Sequence, residues 1–321
     1  MRALVTGAGG FLGGVLVRRL AARGTPVRAL VRGDPPPLPP GVEVVRGDVT
    51  EREALSRAVE GCDVVFHLAG VRRGAARDDF MRVNALGTRL LLEACLAAGA
   101  ARSRFVLAGS LAAAGPSREG RREEEPLAPA EWYGESKAEA ERIAFSFGDR
   151  LPVTVGRPPR IVGPGDRENL FFFRLAARRV LLRILGGERP LSWIDVDDCA
   201  AGFLALADRP EAVGEPFFLA SAERTSVVGL QREIARALGV RPREIPLPPA
   251  ALRAAGALAD LASRATGRKL PVSRKMARQV LAPGWTCDPT KARVRLGFVA
   301  GTPLSESIER SARWYQENGW L

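Results

Sequence analysis

The sequence predicts an α/β protein with a doubly wound parallel β-sheet and a smaller, mixed C-terminal part. Three observations support this fold class. Apolar strand-like segments alternate with amphipathic helical segments through the first half of the chain. The strand-like segments are almost entirely apolar, as is typical of strands buried on both faces. A glycine-rich turn follows the first of them, at a position where sheets of this kind bind ligands.

The N-terminal half contains strands and helices in alternation. Helices are assigned from apolar residues three or four positions apart, and strands from short runs rich in β-branched residues. The predicted strands are residues 2–5, 27–31, 42–45, 63–67 and 105–107. The predicted helices are residues 11–23, 50–60 and 76–98. This order predicts successive βαβ units and therefore a parallel sheet.

The C-terminal half is less regular. Segments rich in proline and glycine alternate there with predicted helices at residues 169–185, 227–238 and 249–265. We expect residues 1–158 to form the sheet domain, to which segments near 193–220 return. Residues 159–192 and 221–321 are expected to form the smaller second part.

Composition and charge exclude two classes of protein. Hydrophobic residues make up 46% of the 321 residues, which is too many for a disordered chain. The net charge is +12, but the basic residues are spread over the whole chain and only 6% of the residues are aromatic. A nucleic-acid-binding surface would concentrate its charge on one face, so no nucleic acid partner is expected.

Cysteine, histidine and hydropathy patterns limit the remaining classes. Cys62, Cys95, Cys199 and Cys287 lie far apart in the sequence, which argues against a disulfide framework and is typical of a reducing compartment. His67 is the only histidine, and no second ligand is placed for it, so no metal site is expected. No apolar run reaches the ~18 residues that a membrane-spanning helix needs. We therefore expect a cytoplasmic protein.

The glycine-rich turn carries the first functional signal. Its sequence is Thr6-Gly7-Ala8-Gly9-Gly10-Phe11-Leu12-Gly13. Glycines allow a tight turn and a close approach of the backbone to a diphosphate, and the helix that follows offers free N–H groups at its positive end. The spacing predicts a Rossmann-type dinucleotide-binding domain; the alternative is a tight turn without a ligand.

The end of the second strand bears on which dinucleotide binds. An acidic residue that accepts from the ribose 2′-hydroxyl is expected there, but the strand ends at Arg32. An arginine can pair with a 2′-phosphate, so NADP(H) is favoured and NAD(H) remains an alternative. Arg32 could also be one more surface arginine. Asp48 follows the third strand, where its carboxylate could accept from an adenine amino group.

A tyrosine and a lysine give the strongest catalytic signal. The chain has two tyrosines, Tyr133 and Tyr315, and Lys137 is the only lysine in the first 268 residues. Tyr133 and Lys137 are four positions apart, which places them on one face of a helix. A nearby ammonium favours the phenolate and so makes tyrosine a usable acid–base near neutral pH.

Two polar residues are candidates close to this pair. Ser110 follows the predicted strand 105–107, at the edge where parallel sheets bind ligands, and its hydroxyl could hydrogen-bond a substrate carbonyl. Asn84 lies in the long predicted helix and is as easily explained by a structural role as by a functional one.

Taken together, these motifs resemble the extended short-chain dehydrogenases/reductases of the NAD(P)-dependent epimerase/dehydratase superfamily. The resemblance spans nearly the whole chain and includes Val83-Asn84-x-x-Gly87-Thr88, Arg157-Pro158, Val196-Asp197-Asp198 and Asp288-Pro289-Thr290-Lys291. It implies that Tyr133 is the acid–base, that Lys137 assists it and binds ribose, and that Ser110 donates to the carbonyl. It further implies a cofactor site lined by Gly7, Gly10, Phe11, Leu12, Asp48, Val49, Leu68, Ala69, Gly70 and Pro158.

Departures from the family pattern narrow the expected activity. Leu111 and Ala112 follow Ser110 where sugar dehydratases have an Asp-Glu pair. Leu191 and Asp195 occupy the slots in which nucleotide-sugar epimerases carry a phosphate-binding Arg and a His. The chain looks more like the dihydroflavonol-reductase and hydroxysteroid-dehydrogenase-like branch. Arg160 stands where the family often faces substrate, which suggests an acidic group on the substrate or, alternatively, a structural ion pair.

The sequence therefore predicts an NADPH-dependent reductase that reduces a ketone, or oxidises a secondary alcohol, on a small hydrophobic substrate. One alternative is a nucleotide-sugar epimerase with tightly bound NAD. Another is a non-catalytic NAD(P)-sensing protein on the same fold. The helical segments 76–98 and 133–147 are candidates for a homodimer face, because such faces are common in the family.

Overall fold

The computed structural model describes residues 1–34, 37–99, 103–266 and 274–321. The strands are β1 Ala3–Thr6, β2 Val27–Val31, β3 Glu43–Arg46, β4 Val64–His67, β5 Arg104–Ala108, β6 Ser117–Arg121, β7 Val153–Arg157, β8 Arg160–Val162, β9 Val180–Ile184, β10 Pro190–Asp195, β11 Pro216–Phe218, β12 Arg224–Ser226, β13 Arg243–Leu247 and β14 Trp285–Cys287.

The α-helices are α1 Phe11–Ala22, α2 Arg52–Val59, α3 Arg77–Phe80, α4 Gly87–Ala97, α5 Leu111–Ala114, α6 Trp132–Phe145, α7 Leu170–Ala177, α8 Val196–Asp208, α9 Val227–Ala237, α10 Pro249–Thr266, α11 Arg274–Val280, α12 Thr290–Leu296 and α13 Leu304–Glu317. A π-helical turn, Met81–Leu86, joins α3 to α4, and a short 3₁₀-helix covers Pro210–Ala212.

The large sheet has seven strands in the order β11-β7-β5-β4-β1-β2-β3, and every neighbouring pair is parallel. The interior strand β1 is fully buried because its side chains Ala3, Leu4 and Val5 are apolar and covered on both faces. The strand order changes direction at β1, and the glycine turn follows that strand. This arrangement confirms the predicted fold class.

Helices cover both faces of the large sheet. On one face Leu16 of α1 and Phe203 of α8 share an apolar core with Phe66 of β4. On the other face Leu91 of α4 and Ile143 of α6 pack with α2 in a second core. Both α8 and β11 thus belong to the layers of the large sheet, although they come after residue 195 in the sequence.

The smaller, mixed sheet has the order β12-β10-β14-β6, with β8 paired alongside β10. The strand β12 runs antiparallel to β10, whereas β8 and β14 run parallel to it. A separate parallel pair is formed by β9 and β13. The core beneath these strands contains Trp193, Phe173, Leu230 and Tyr315.

One predicted helix was wrong in its second half. The sequence predicted a helix over residues 169–185, but α7 ends at Ala177, and Arg179 takes a left-handed backbone conformation with φ 56°. Residues 180–184 then form β9, of which Leu181 is buried. Their partner β13 lies some sixty residues further on. Local periodicity could not reveal that pairing.

The other predicted helices agree with the structure within one or two residues at most ends. In the described parts of the chain, no helix is both long and apolar enough to cross a membrane.

Candidate functional site

The glycine turn packs tightly against the backbone that follows β4. Gly7 has φ +71°, and a Cβ atom there would lie 2.7 Å from the Ala69 nitrogen. A Cβ on Gly13 would lie 2.1 Å from the Gly7 carbonyl oxygen. Side chains are therefore excluded at both positions, and the turn can approach a ligand closely.

The start of α1 is suited to binding phosphate. Gly10 is the N-cap residue and has no side chain to bond the first N–H groups, and the first turn contains no acidic residue. These N–H groups and the positive end of the helix dipole are thus available to an anion. The turn fits the diphosphate of a dinucleotide.

The remaining predicted cofactor residues lie at the start of α1 or after the ends of the parallel strands. Phe11 and Leu12 are half-buried and pack against the core of the sheet. Val49 is buried and contacts Gly87, where a Cβ would lie 2.8 Å from its Cγ2. After β4, Leu68 and Ala69 are half-buried and Gly70 is exposed at the rim. Pro158 is buried directly after β7.

Two residues predicted to contact the adenosine half pair with each other. The Arg32 guanidinium lies 3.5 Å from the Asp48 carboxylate, and the Arg32 side chain is 70% exposed. Burial alone would raise the pKa of Asp48, but hydrogen bonds from Thr50 and the charge of Arg32 lower it overall. Asp48 is therefore ionised, and the Arg32 guanidinium remains open to solvent beside it.

His67 is a structural residue. Its Nδ1 lies 2.7 Å from Thr6 Oγ1 and its Nε2 lies 3.1 Å from Thr88 Oγ1, so both ring nitrogens are hydrogen-bonded within the protein. Burial, together with the charge of Lys137, lowers the pKa of His67 to about 3. The imidazole is thus neutral at physiological pH and joins β1 and β4 to α4.

The predicted acid–base pair lies on the first two turns of α6. Glu131 caps this helix by accepting from the N–H groups of Tyr133 and Gly134. Tyr133 is half-buried, and Lys137 is buried with its ammonium donating to the Ala108 carbonyl at 2.8 Å. This bond fixes the ammonium at the carboxyl end of β5.

Ser110 lies at the same end of β5. Its hydroxyl oxygen caps α5 by accepting from the Ala112 N–H at 3.1 Å, which leaves the hydroxyl hydrogen for another acceptor. The next N–H, that of Leu111, donates to the Pro158 carbonyl at 3.0 Å. The structure therefore brings Ser110 and Lys137 to one sheet edge, with Pro158 beside them.

Asn84 fixes the loop after β4. Its Nδ2 donates to the Val71 carbonyl at 3.0 Å and to Ser136 Oγ at 2.8 Å, and its Oδ1 accepts from the Val71 N–H. Asn84 lies in the π-helical turn and reaches across to α6. A Cβ on Gly70 would lie 2.9 Å from the Asn84 Oδ1 and 3.3 Å from the Lys137 ammonium.

A buried ion pair behind the site was missed in the sequence. The Glu141 carboxylate accepts from Arg157 Nε at 2.9 Å and from its Nη2 at 2.8 Å. Glu141 lies one turn after Lys137 on the same face of α6, and this i,i+4 spacing was the available signal. The pair connects the face of α6 that carries Lys137 to the end of β7.

Comparisons with known proteins decide the family. The model of the NAD dependent epimerase/dehydratase family matches residues 3–220. The chain belongs to this family. A ceramide reductase of Caulobacter vibrioides is 36% identical, covering 99% of this chain and 95% of that protein. A 2-alkyl-3-oxoalkanoate reductase of Stenotrophomonas maltophilia is 31% identical, with 97% and 98% covered.

A solved structure extends the comparison to three dimensions. The structure of MoeE5 in complex with UDP-glucuronic acid and NAD matches with a TM-score of 0.80 and 26% identity, covering 99% of this chain and all of that one. The resemblance stated from the sequence motifs is thereby confirmed, and the NAD(P)-dependent character of the epimerase/dehydratase family applies to this chain.

Two residues named above as departures from the nucleotide-sugar epimerase pattern, Leu191 and Asp195, are buried here. Leu191 is buried within β10. Asp195 is fully buried, accepts from Ser307 Oγ at 2.6 Å and forms an ion pair with Arg310 at 2.6 Å. Asp195 therefore connects the end of β10 to α13. In the parts of the chain that the structure covers, no group of three metal-ligating side chains occurs.

Proposed function

We propose that this protein is an NADPH-dependent ketoreductase that converts a ketone on a hydrophobic substrate to a secondary alcohol. The observation that carries the proposal is the convergence of α6 and the end of β5. Lys137 on α6 bonds to Ala108, the last residue of β5, and Ser110 follows two positions later. Tyr133 lies one turn before Lys137 on the same helix.

These residues divide the chemistry between them. The glycine turn would hold the diphosphate of a nicotinamide cofactor, which would supply the hydride for the carbonyl carbon. Tyr133 donates a proton to the carbonyl oxygen, so that one hydride and one proton convert the ketone to an alcohol. The Lys137 ammonium favours the phenolate that remains, and the Ser110 hydroxyl donates to the same oxygen. Positioned proton transfer of this kind contributes ~10²–10⁴-fold to the rate.

Arg32 supports the choice of NADPH. It follows β2 directly, it is largely exposed, and its only ion-pair partner among the described residues is Asp48 at 3.5 Å. A 2′-phosphate carries more charge than this carboxylate and accepts bidentate hydrogen bonds from a guanidinium. An unphosphorylated ribose has no phosphate for Arg32 to bind, so Arg32 would remain paired with Asp48.

Aromatic side chains support a hydrophobic substrate. Phe171 on α7 is 56% exposed, and its ring contacts that of Phe172 with 5.6 Å between centroids. Phe172 in turn lies beneath the Arg160 guanidinium. The two relatives named above are called reductases of a ceramide and of a 2-alkyl-3-oxoalkanoate, both of which carry long apolar chains.

Epimerisation of a nucleotide sugar is the second candidate. The similarity to MoeE5, solved with UDP-glucuronic acid and NAD, favours it. Leu191 and Asp195 argue against it, because an apolar and an anionic side chain, both buried, offer no cation or hydrogen-bond donor to a nucleotide diphosphate. An epimerase would also retain its cofactor through the reaction and consume none.

The test is NADPH oxidation, followed by absorbance, with a panel of medium-chain ketones and 3-oxo acids. We expect turnover by the wild type and at least a ~10²-fold loss in Tyr133→Phe, with unchanged NADPH affinity. The matched control is Tyr315→Phe, since Tyr315 is the only other tyrosine and donates to the Asp166 carbonyl inside the core.

Three results would contradict the proposal. Full turnover in Tyr133→Phe would remove Tyr133 from the chemistry. Purified protein that retains NAD, interconverts UDP-sugars and oxidises no NADPH would place it among the epimerases. Binding of NADPH without turnover of either class of substrate would favour a sensing role instead.

A further inference from the structure

Two neighbouring arginines carry the inference, and one of them lies over the ring of the proposed acid–base. Arg72 comes from the loop after β4, and its guanidinium carbon lies 5.6 Å from the centre of the Tyr133 ring. Its side chain is exposed to solvent. Asn84 accepts from the Val71 N–H of the same loop, and the loop residue Arg73 forms an ion pair with Glu168 at 3.1 Å. These contacts fix the loop from which the Arg72 side chain reaches Tyr133.

Arg160 lies on β8, close enough to Arg72 for the two charges to interact. Its Nη1 donates to Asn169 Oδ1 at 2.6 Å, and its guanidinium lies 5.9 Å from the centre of the Phe172 ring. Its Nε is buried and has no hydrogen-bond partner within the described residues. The cation is therefore oriented by a neutral amide and an aromatic ring, and one of its donors is unused.

The nearby carboxylates are occupied elsewhere. Glu168 pairs with Arg73 and Asp166 accepts from the N–H groups of Glu168 and Asn169. Neither Arg72 nor Arg160 forms an ion pair with any carboxylate in the residues that the structure covers. Burial and the neighbouring charge of Arg72 both lower the pKa of Arg160. Asp166 and Glu168 offset part of both charges from a distance, but neither carboxylate forms an ion pair with Arg72 or Arg160.

We propose that Arg72 and Arg160 form a subsite beside Tyr133 for an anionic group on the substrate, a carboxylate or a phosphate. An anion there would accept charge-assisted hydrogen bonds, including from the unused Arg160 Nε. Its negative charge would also reduce the repulsion between the two cations. The rings of Phe172 and Phe171 continue the same surface and suit an apolar chain. This inference rests on the proposed function, because it assigns the substrate of the same site.

The first arm of the test measures binding without turnover. Octanoate, octyl phosphate and octanamide are titrated by calorimetry into protein saturated with NADP⁺. We expect at least one anion to bind about tenfold or more tightly than octanamide, and the tighter anion identifies the group. This preference should disappear in Arg160→Gln and in Arg72→Gln. Arg174→Gln, an exposed change on α7 outside the subsite, should keep it.

The second arm measures turnover. The substrates are 3-oxooctanoate and its methyl ester, which differ mainly in charge. We expect Arg160→Gln to lower kcat/KM for the acid at least about tenfold more than for the ester. Reduction of neither substrate by the wild type would overturn the proposed function, whereas the calorimetric arm would still decide the subsite.

Two outcomes would overturn the subsite. One is equal affinity of the wild type for both anions and octanamide. The other is a large loss of NADPH affinity in Arg72→Gln and Arg160→Gln with the preference for anions intact, because the two arginines would then serve the cofactor phosphates. NADPH affinity is therefore titrated for every variant.

Discussion

The Glu141 carboxylate lies 2.8 Å from the Arg157 guanidinium, and the two side chains are only 1% and 5% exposed. Burial raises the pKa of Glu141, while Arg157 and then Lys137 act in the opposite direction. The Arg157 guanidinium also lies 5.6 Å from the centre of the Phe218 ring. The ion pair joins α6 to β7 directly behind Lys137, and the contact of Arg157 with Phe218 adds β11 to this group.

Replacing Glu141 by Gln should lower the free energy of unfolding by about 3–5 kcal/mol, because it leaves the buried charge of Arg157 unpaired. Urea denaturation followed by circular dichroism measures the change. The control is Glu139→Gln, which breaks a pair with Arg142 at the partly exposed side of the same helix and should cost at most ~1 kcal/mol. Equal losses in the two variants would show that the buried pair is not a structural element.

His67 should make stability depend on pH. Its folded pKa of about 3 is lower than the 6.5 of an unfolded histidine. The unfolded chain therefore binds more protons below pH 6.5, so the stabilising effect is complete above pH 6.5 and is lost as the pH falls. Between pH 6.5 and about 5 this loss should reach roughly 2 kcal/mol.

The comparison that isolates His67 is His67→Gln, since the chain has no other histidine. Denaturation curves of the two proteins are measured across this pH range. The variant should lack the extra loss of stability, and parallel pH profiles would contradict the assignment.

Two neighbouring glycines of α1 should respond in opposite ways to the same change. A Cβ on Gly13 would lie 2.1 Å from the Gly7 carbonyl oxygen, so Gly13→Ala must displace the turn and should weaken NADPH binding at least about tenfold. A Cβ on Gly14 would meet nothing closer than 3.6 Å. Gly14→Ala should bind NADPH normally and gain up to ~1 kcal/mol of stability, because alanine favours helix.

Calorimetric titration with NADPH and thermal unfolding test both glycine variants. Normal NADPH affinity in Gly13→Ala would show that the turn does not hold the diphosphate.

Arg32→Ala should reduce the preference for NADPH over NADH at least about tenfold, because it removes the cation proposed for the 2′-phosphate. The measurement is the ratio of the two dissociation constants in wild type and variant. Arg46→Ala is a suitable control: Arg46 ends the next strand and pairs with Asp34 at 3.1 Å on the surface. A wild type that prefers NADH would overturn the proposed role of Arg32.

The first half of the fold was accessible from sequence because its information is local. The apolar strands, the glycine turn and the Tyr133–Lys137 spacing each lie within a short segment, and the parallel sheet follows from their order. The structure shows, in addition, where these segments contact one another. That Lys137 bonds to Ala108 depends on the packing of α6 across β5, which no single segment specifies.

The parts that sequence could not supply depend on distant partners. The second half of the predicted helix 169–185 is a strand because β13 lies beside it. Arg72 gave no signal among the many arginines of this chain, since only its position over Tyr133 distinguishes it. Glu141 could have been found from its spacing to Lys137, but its partner Arg157 lies on another element.

The π-helical turn Met81–Leu86 sets the rotational phase of the helix between β4 and β5. Such a turn contains one more residue than a turn of α-helix, and each residue of α-helix advances the side chain direction by about 100°. Deleting a single residue there would turn α3 relative to α4 by that angle and carry Asn84 away from Val71. The loop that carries Arg72 would then lose its hydrogen bonds to Asn84. A deletion in this helix should therefore disturb the structure more than most substitutions in it would.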